Sequence, residues 1–131
     1  MKLNPDIVSL QSSTSVEKTI IKLKDSLIEQ GITIYAQIDQ QAEASKSGLS
    51  LKPFQQLIFG NPKGGIPIMN TNPLSGLDLP LKVLVWEDNE KKVWLSYNKF
   101  SYLQNRFDLP PFLIEKISAV ESIFQKVVIP I

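Results

Sequence analysis

Two charged side chains stand where the chain could do acid–base chemistry. Asp39 closes the segment Ile32 to Asp39, a carboxylate at the end of an expected strand. Lys82 lies near the start of the apolar run Leu81-Lys82-Val83-Leu84-Val85-Trp86, where partial burial would lower its pKa and make it a base or nucleophile. Between them, Gly60-Asn61-Pro62-Lys63-Gly64-Gly65 has the glycine content to present backbone amides to an anion ahead of a helix start. The chain contains neither Cys nor His. That excludes a disulfide, a thiolate nucleophile, a zinc finger, a Ser-His-Asp triad, facial-triad iron and His-ligated haem. Carboxylate, amine and phenol chemistry remain, together with a hard cation held by oxygen ligands, or no chemistry at all.

Each of these residues also has a plain structural role. Asp is a preferred helix cap, and Asp39 precedes the Ala-rich stretch Gln40 to Ser47, so capping is the safer reading. A lysine in an apolar strand more often carries its ammonium out to water. The glycine loop lacks the Lys-Ser/Thr that ends a P-loop and the spacing of a dinucleotide fingerprint, so a structural corner is favoured over an anion cradle. Asp78, Glu87 and Asp88 could join Asp39 around a cation, but no spacing matches a calcium loop; solvated turn charges are favoured and no metal site is expected. Phe59, Met69, Trp86, Trp94 and Tyr97 read as core in preference to a cavity lining.

The elements that position these residues follow from spacing. Asp6 to Gln11 alternates weakly and is predicted as a first strand. Thr14 and Glu17 form a capping box for a helix whose stripe is Val16, Ile20, Leu23 and Leu27, ended by Gly31. In the second strand Ile32, Ile34, Ala36 and Ile38 are expected on one face and Thr33, Tyr35 and Gln37 on the other. Gln40 to Ser47 is expected to make one or two helical turns closed by Gly48. Phe54 to Phe59 is a third strand running into the glycine–proline segment, where Asn61-Pro62-Lys63-Gly64 fits a type I turn and Pro67 opens a short helix through Asn70. Thr71 to Gly76 reads as irregular and Asp78-Leu79-Pro80 as extended. Leu81–Trp86 and Lys92–Tyr97 form an antiparallel hairpin with Val93, Leu95 and Tyr97 on one face, and Ser101 with Gln104 caps a brief helix. After Pro110-Pro111, the stripe Leu113, Ile117, Val120, Phe124 and Val127 predicts one long closing helix across the sheet.

The order β-α-β-β-β-β-α, with a crossover helix only in the first connection, predicts an α+β two-layer sandwich. Its sheet has about five strands, antiparallel or mixed, with helices on one face. At 131 residues, 43% hydrophobic and 21% charged, residues 1–131 fit a single domain. Fourteen basic against thirteen acidic side chains, scattered for a net charge of +1, give no footprint for nucleic acid or an anionic membrane. No apolar run approaches bilayer length and the start has no signal-peptide pattern, so a cytoplasmic location is expected.

Phe59-Gly60-Asn61-Pro62, followed by Gly65, Pro67 and Met69 and then by Leu79-Pro80-Leu81-Lys82-Val83-Leu84-Val85-Trp86-Glu87, resembles the signature of the domain of unknown function 302 family. Ile38-Asp39 with Ala42 and Ala44 resembles the family's segment after its second strand. The resemblance implies an α+β fold related to the TATA-binding-protein and helix-grip architectures, often dimeric, and no particular activity. Gln40 stands where members commonly carry His, and Ile66 where they commonly carry Thr. The first departure puts a base or metal role at that corner in doubt. The second removes a possible cap, worth about 1 kcal/mol, from a helix starting at Pro67.

The leading functional expectation is non-catalytic binding of a small apolar or amphipathic ligand between the sheet and the C-terminal helix, without a cofactor. The residues expected to serve it are Asp39, Gly60, Asn61, Gly64, Gly65, Met69, Lys82 and Trp86. The alternatives are a homodimeric interaction module and, ranked last, a cofactor-independent enzyme using Asp39 and Lys82.

Overall fold

The computed structural model describes residues 4–130. Strands β1 (Ile7–Ser12), β2 (Thr33–Asp39), β3 (Phe54–Gly60), β4 (Leu81–Glu87) and β5 (Val93–Asn98) form one antiparallel sheet in the order β1-β5-β4-β3-β2. Helices pack on one face of it, as the element order predicts. β1 and β2 are the two edges, so helix α1 (Val16–Glu29), which joins them, must span the width of the sheet, and it packs on β2, β3 and β4. Its stripe is the expected one, with Leu23 and Leu27 fully buried. Each such leucine stabilises the fold by about 1.5–3 kcal/mol relative to an exposed one.

The start of α1 differs from expectation by one residue. Ser15, not Thr14, is the cap, accepting from the Lys18 amide at 3.1 Å. This register turns Thr19 inward, where its hydroxyl meets Ser12 Oγ at 2.7 Å and ties the helix to β1. Gly31 ends α1 as expected. At φ +74° it lets the amides of Gly31 and Ile32 reach the carbonyls of Ile28 and Leu27.

β2 does not keep the simple alternation its sequence shows. Ile34 lies opposite Phe59 and Ala36 opposite Ile58, so a bulge at Tyr35 inserts one residue. Ile34 therefore faces the helices, while Ala36 and Ile38 face the other side. Three further expectations are corrected. The segment from Pro62 is not a turn followed by a helix at Pro67 but one continuous helix, α3 (Pro62–Thr71), with Pro67 inside it. The Asn61 carbonyl accepts from Gly64 N as the turn requires, and from Gly65 N as well, so a type I turn simply continues as the first helical turn. Ile66 is consequently mid-helix and exposed, and a cap at that position has no role. Thr71 to Gly76 is less irregular than expected, because Pro73–Leu77 forms a 3₁₀ turn capped by Asn72.

Helices α2 (Gln40–Lys46) and α4 (Phe100–Arg106) are short, and α4 has no side-chain cap, in contrast to the predicted Ser101/Gln104 pair. The closing stripe turns inward as predicted, with Ile117 only half-buried, but it is divided. It runs through α5 (Pro111–Ser118) and α6 (Glu121–Val127), which meet at Ala119 and Val120. α5 packs on α3 and α6 on α1, so the break lets one stripe serve two partners.

Candidate functional site

The end of the helical layer nearest the start of β4 holds a groove of about 620 Å³. Its lining includes six large apolar side chains: Ile32, Phe59, Leu81, Ile117, Val120 and Ile123. Phe59 comes from the end of β3, Leu81 from the first residue of β4, Ile32 from just before β2, and Ile117, Val120 and Ile123 from the α5–α6 segment. Gly60, Asn61 and Gly64 lie along one side, where β3 turns into α3. Lys63, Lys116 and Lys126 line it as well, and no acidic residue does. Among the described residues none of the three lysines has an ion-pair partner.

Behind the shared wall of Phe59 and Leu81 lies a smaller cavity of about 120 Å³, lined also by Tyr97, Phe100, Leu103 and Phe124. Tyr97 is buried, and its hydroxyl donates to Glu121 Oε2 at 2.6 Å. Burial first, then the bond and charge of Glu121, push the phenol well above its usual range. Because the folded state holds this proton more tightly than the unfolded state, the stabilisation is complete below pH 10, the ordinary phenol value, and declines above it. The expected slope is up to about 1.4 kcal/mol per pH unit. Urea unfolding between pH 9 and pH 12 should show this extra loss in the native sequence and not in Tyr97→Phe; parallel curves would refute it.

The structure distributes the expected site residues among different places. Gly60, Asn61 and Gly64 join the groove, but their amides do not form an anion cradle. Asn61 takes the Lys63 amide with its side chain at 3.0 Å and the Gly64 and Gly65 amides with its carbonyl at 2.9 and 3.0 Å. Gly64 has a packing reason instead, since a Cβ there would sit 3.0 Å from Ile117 Cγ2, so its absence lets α5 approach α3. Gly65 and Met69 lie beside each other, with Met69 also against Gly76, outside the groove.

Asp39 caps α2, accepting from Ala42 N at 3.0 Å, which is the structural role its position foretold. It borders a separate depression against α1, with Lys24 and Gln37. Lys82 is exposed and is among the residues around the small cavity. The strand register puts these two on opposite faces. Asp39 pairs with Gln55 and Lys82 with Ile58, and residues three apart in β3 point to opposite sides. A shared reacting centre for Asp39 and Lys82 is therefore not formed. Trp86 is on the face away from the helices and donates to Ser96 Oγ at 2.9 Å. Asp78 pairs with Arg106 at 2.8 Å and Asp88 accepts from Trp94 at 2.9 Å, so the carboxylates are engaged separately.

Sequence reasoning missed the three lysines. They are far apart in the chain and carry no motif; only folding brings them together. Ile117 and Val120 were visible as part of the closing stripe, though as core rather than as the lining of a groove.

Comparison with known proteins gives three findings. Residues 8–128 match the family model described as domain of unknown function DUF302. Proteins named fluoride-specific ion channel FluC 1 from Brucella suis biovar 1 (strain 1330) and Brucella abortus biovar 1 (strain 9-941) are each 36% identical over 107 residues, 82% of this chain but 42% and 40% of theirs. The chain thus spans about two fifths of the length of these curated relatives. A crystal structure of an uncharacterized conserved protein DUF302 from Bacillus stearothermophilus superimposes with a TM-score of 0.78 at 24% identity, covering 95% of this chain and 97% of that one.

Proposed function

The chain belongs to the DUF302 family, and on that premise we propose that it is a non-catalytic binding domain. Its ligand is a small apolar or amphipathic molecule held between the sheet and the C-terminal helices. One observation carries this reading: the groove of about 620 Å³, within the roughly 300–1,000 Å³ typical of small-molecule sites, is lined by six large apolar side chains together with three lysines. The channel names of the Brucella relatives describe proteins more than twice as long as the match. No described helix here is long and apolar enough to cross a membrane, so conduction is not part of the proposal. Native mass spectrometry of freshly purified protein is expected to show a small added mass that organic extraction removes. Bare protein, both as purified and after incubation with a total lipid extract, would count against the reading.

A second reading has its own observation. The face opposite the helices carries Phe54, Ile58, Leu84, Trp86 and Trp94, all half-buried, with Lys82 as the charged residue of β4 there. The polar groups of this face largely satisfy one another, as in Ser9 Oγ to Ser96 Oγ at 2.7 Å and Gln40 to Gln56 at 2.6 Å. Such a surface is suited to a second copy of the chain, and we propose a homodimer through it. Five strands spaced about 4.8 Å apart and about 20 Å long give a plane near 480 Å², which side chains raise toward the roughly 800 Å² per partner of a stable interface. Light scattering coupled to gel filtration should give a dimer for the native sequence and a monomer for Leu84→Lys. A native monomer at tens of micromolar would remove the proposal.

A further inference from the structure

The charge around the groove specifies the ligand more closely, and we infer that the site takes an apolar chain ending in a carboxylate, an acyl anion of the fatty-acid class; this rests on the groove being a ligand site at all. Three features select an anion. Lys63, Lys116 and Lys126 converge on the groove from α3, α5 and α6, with no acidic residue in its lining. Lys63 occupies the first turn of α3, which contains no Asp or Glu. A helix start favours a carboxylate, and a lysine there adds to the positive potential instead of cancelling it, so the uncompensated charge is concentrated at this rim. Lys116 and Lys126, in the last turns of their helices, partly answer the negative helix ends, which leaves Lys63 as the cation with the least internal compensation.

The head is met by side chains, the three ammonium groups foremost, and not by the amides of Lys63, Gly64 and Gly65, which Asn61 already holds. Point charges on flexible stems, with no arginine in the lining, recognise a charge without demanding one geometry. The apolar side chains of the lining then take the chain, whose burial supplies most of the affinity and is indifferent to the head.

The test compares three probes of one chain length on delipidated protein: decanoate, decanol and decyltrimethylammonium, each below its aggregation concentration. Decanoate is expected to bind tightest, with decanol about tenfold weaker and the ammonium weaker still, as three exposed charge contacts allow. Raising the salt should weaken decanoate alone. The triple variant Lys63→Gln, Lys116→Gln, Lys126→Gln should lower decanoate to the affinity of decanol and leave decanol unchanged. Ala119→Trp, which places an indole in the groove from an exposed position, should remove binding of decanoate and decanol together while the melting temperature is kept. Equal affinity for decanoate and decanol in the native protein would overturn the anion assignment and leave the groove reading intact. No binding of any probe, or binding untouched by Ala119→Trp, would overturn the groove reading and this inference with it.

Discussion

Phe124→Ala is expected to destabilise the protein by about 3–5 kcal/mol, the range for truncating a buried phenylalanine. Phe124 is only 1% exposed and stands where three elements meet. Its ring lies edge-on to Phe59 of β3, with centroids 6.0 Å apart and planes at 82°, and tilted against Tyr97 of β5 at 4.7 Å. Each such aromatic pair is worth about 0.5–1.5 kcal/mol beyond the area it buries. Phe124 also walls the 120 Å³ cavity, so truncation would enlarge an existing void, and neighbours with one empty side already have less to collapse onto. For a domain whose total stability is about 5–15 kcal/mol, that loss approaches unfolding at physiological temperature. Urea unfolding should show the midpoint falling with an unchanged slope. A loss below about 1 kcal/mol would mean that α6 is not the clamp between the helical layer and the sheet.

The elements with a strong period were legible before the structure was known. The stripe of α1, the inward set Val93, Leu95 and Tyr97, and Leu113, Val120, Phe124 and Val127 of the closing segment are all buried in the core. What failed has a common physical source: local patterns fix which residues are apolar but not how neighbouring elements intervene. The alternation of β2 from Ile32 to Ile38 is regular in sequence, yet a bulge at Tyr35 reverses the faces of Ala36 and Ile38, and pairing with β3 decides this. The closing stripe reads as one helix because its spacing never breaks, whereas α5 and α6 divide at Ala119 so that each can reach its own partner helix. The glycines of residues 60–65 were read as material for a corner. The corner exists, but Gly64 serves the contact with Ile117 across 53 positions of sequence, which no local pattern encodes.

The same limit explains the candidate site. Asp39 and Lys82 drew notice as charged residues beside apolar strands, and the register separates them. Lys63, Lys116 and Lys126 drew none, because a lysine in a helical turn is ordinary until two others are brought beside it. A site of this kind is a product of topology. α3 connects β3 to β4, α5 leans on α3, and α6 leans on α1, so the three helices supply one rim.

Gly64→Val is expected to cost about 2–3 kcal/mol, and the reason can be separated from any role in binding. The first carbon of a side chain at position 64 would lie 3.0 Å from Ile117 Cγ2, and because Gly64 is buried the two branch carbons of valine add further volume at the α3–α5 contact. Overpacking of this sort usually costs about 1–3 kcal/mol. Glycine's low helix propensity, about 1 kcal/mol below alanine, offsets little of it, because a β-branched residue recovers only part of that difference. Ile117→Ala alone should cost about 1–2 kcal/mol, below the range for a fully buried isoleucine because the side chain is half-buried. In the double variant the valine would occupy the space the isoleucine leaves. The pair should therefore be more stable than the sum of the single effects by at least about 1 kcal/mol, a coupling expected only of residues in contact. If Gly64 were present to expose amides to a ligand, shortening Ile117 would restore nothing, and the two losses would simply add.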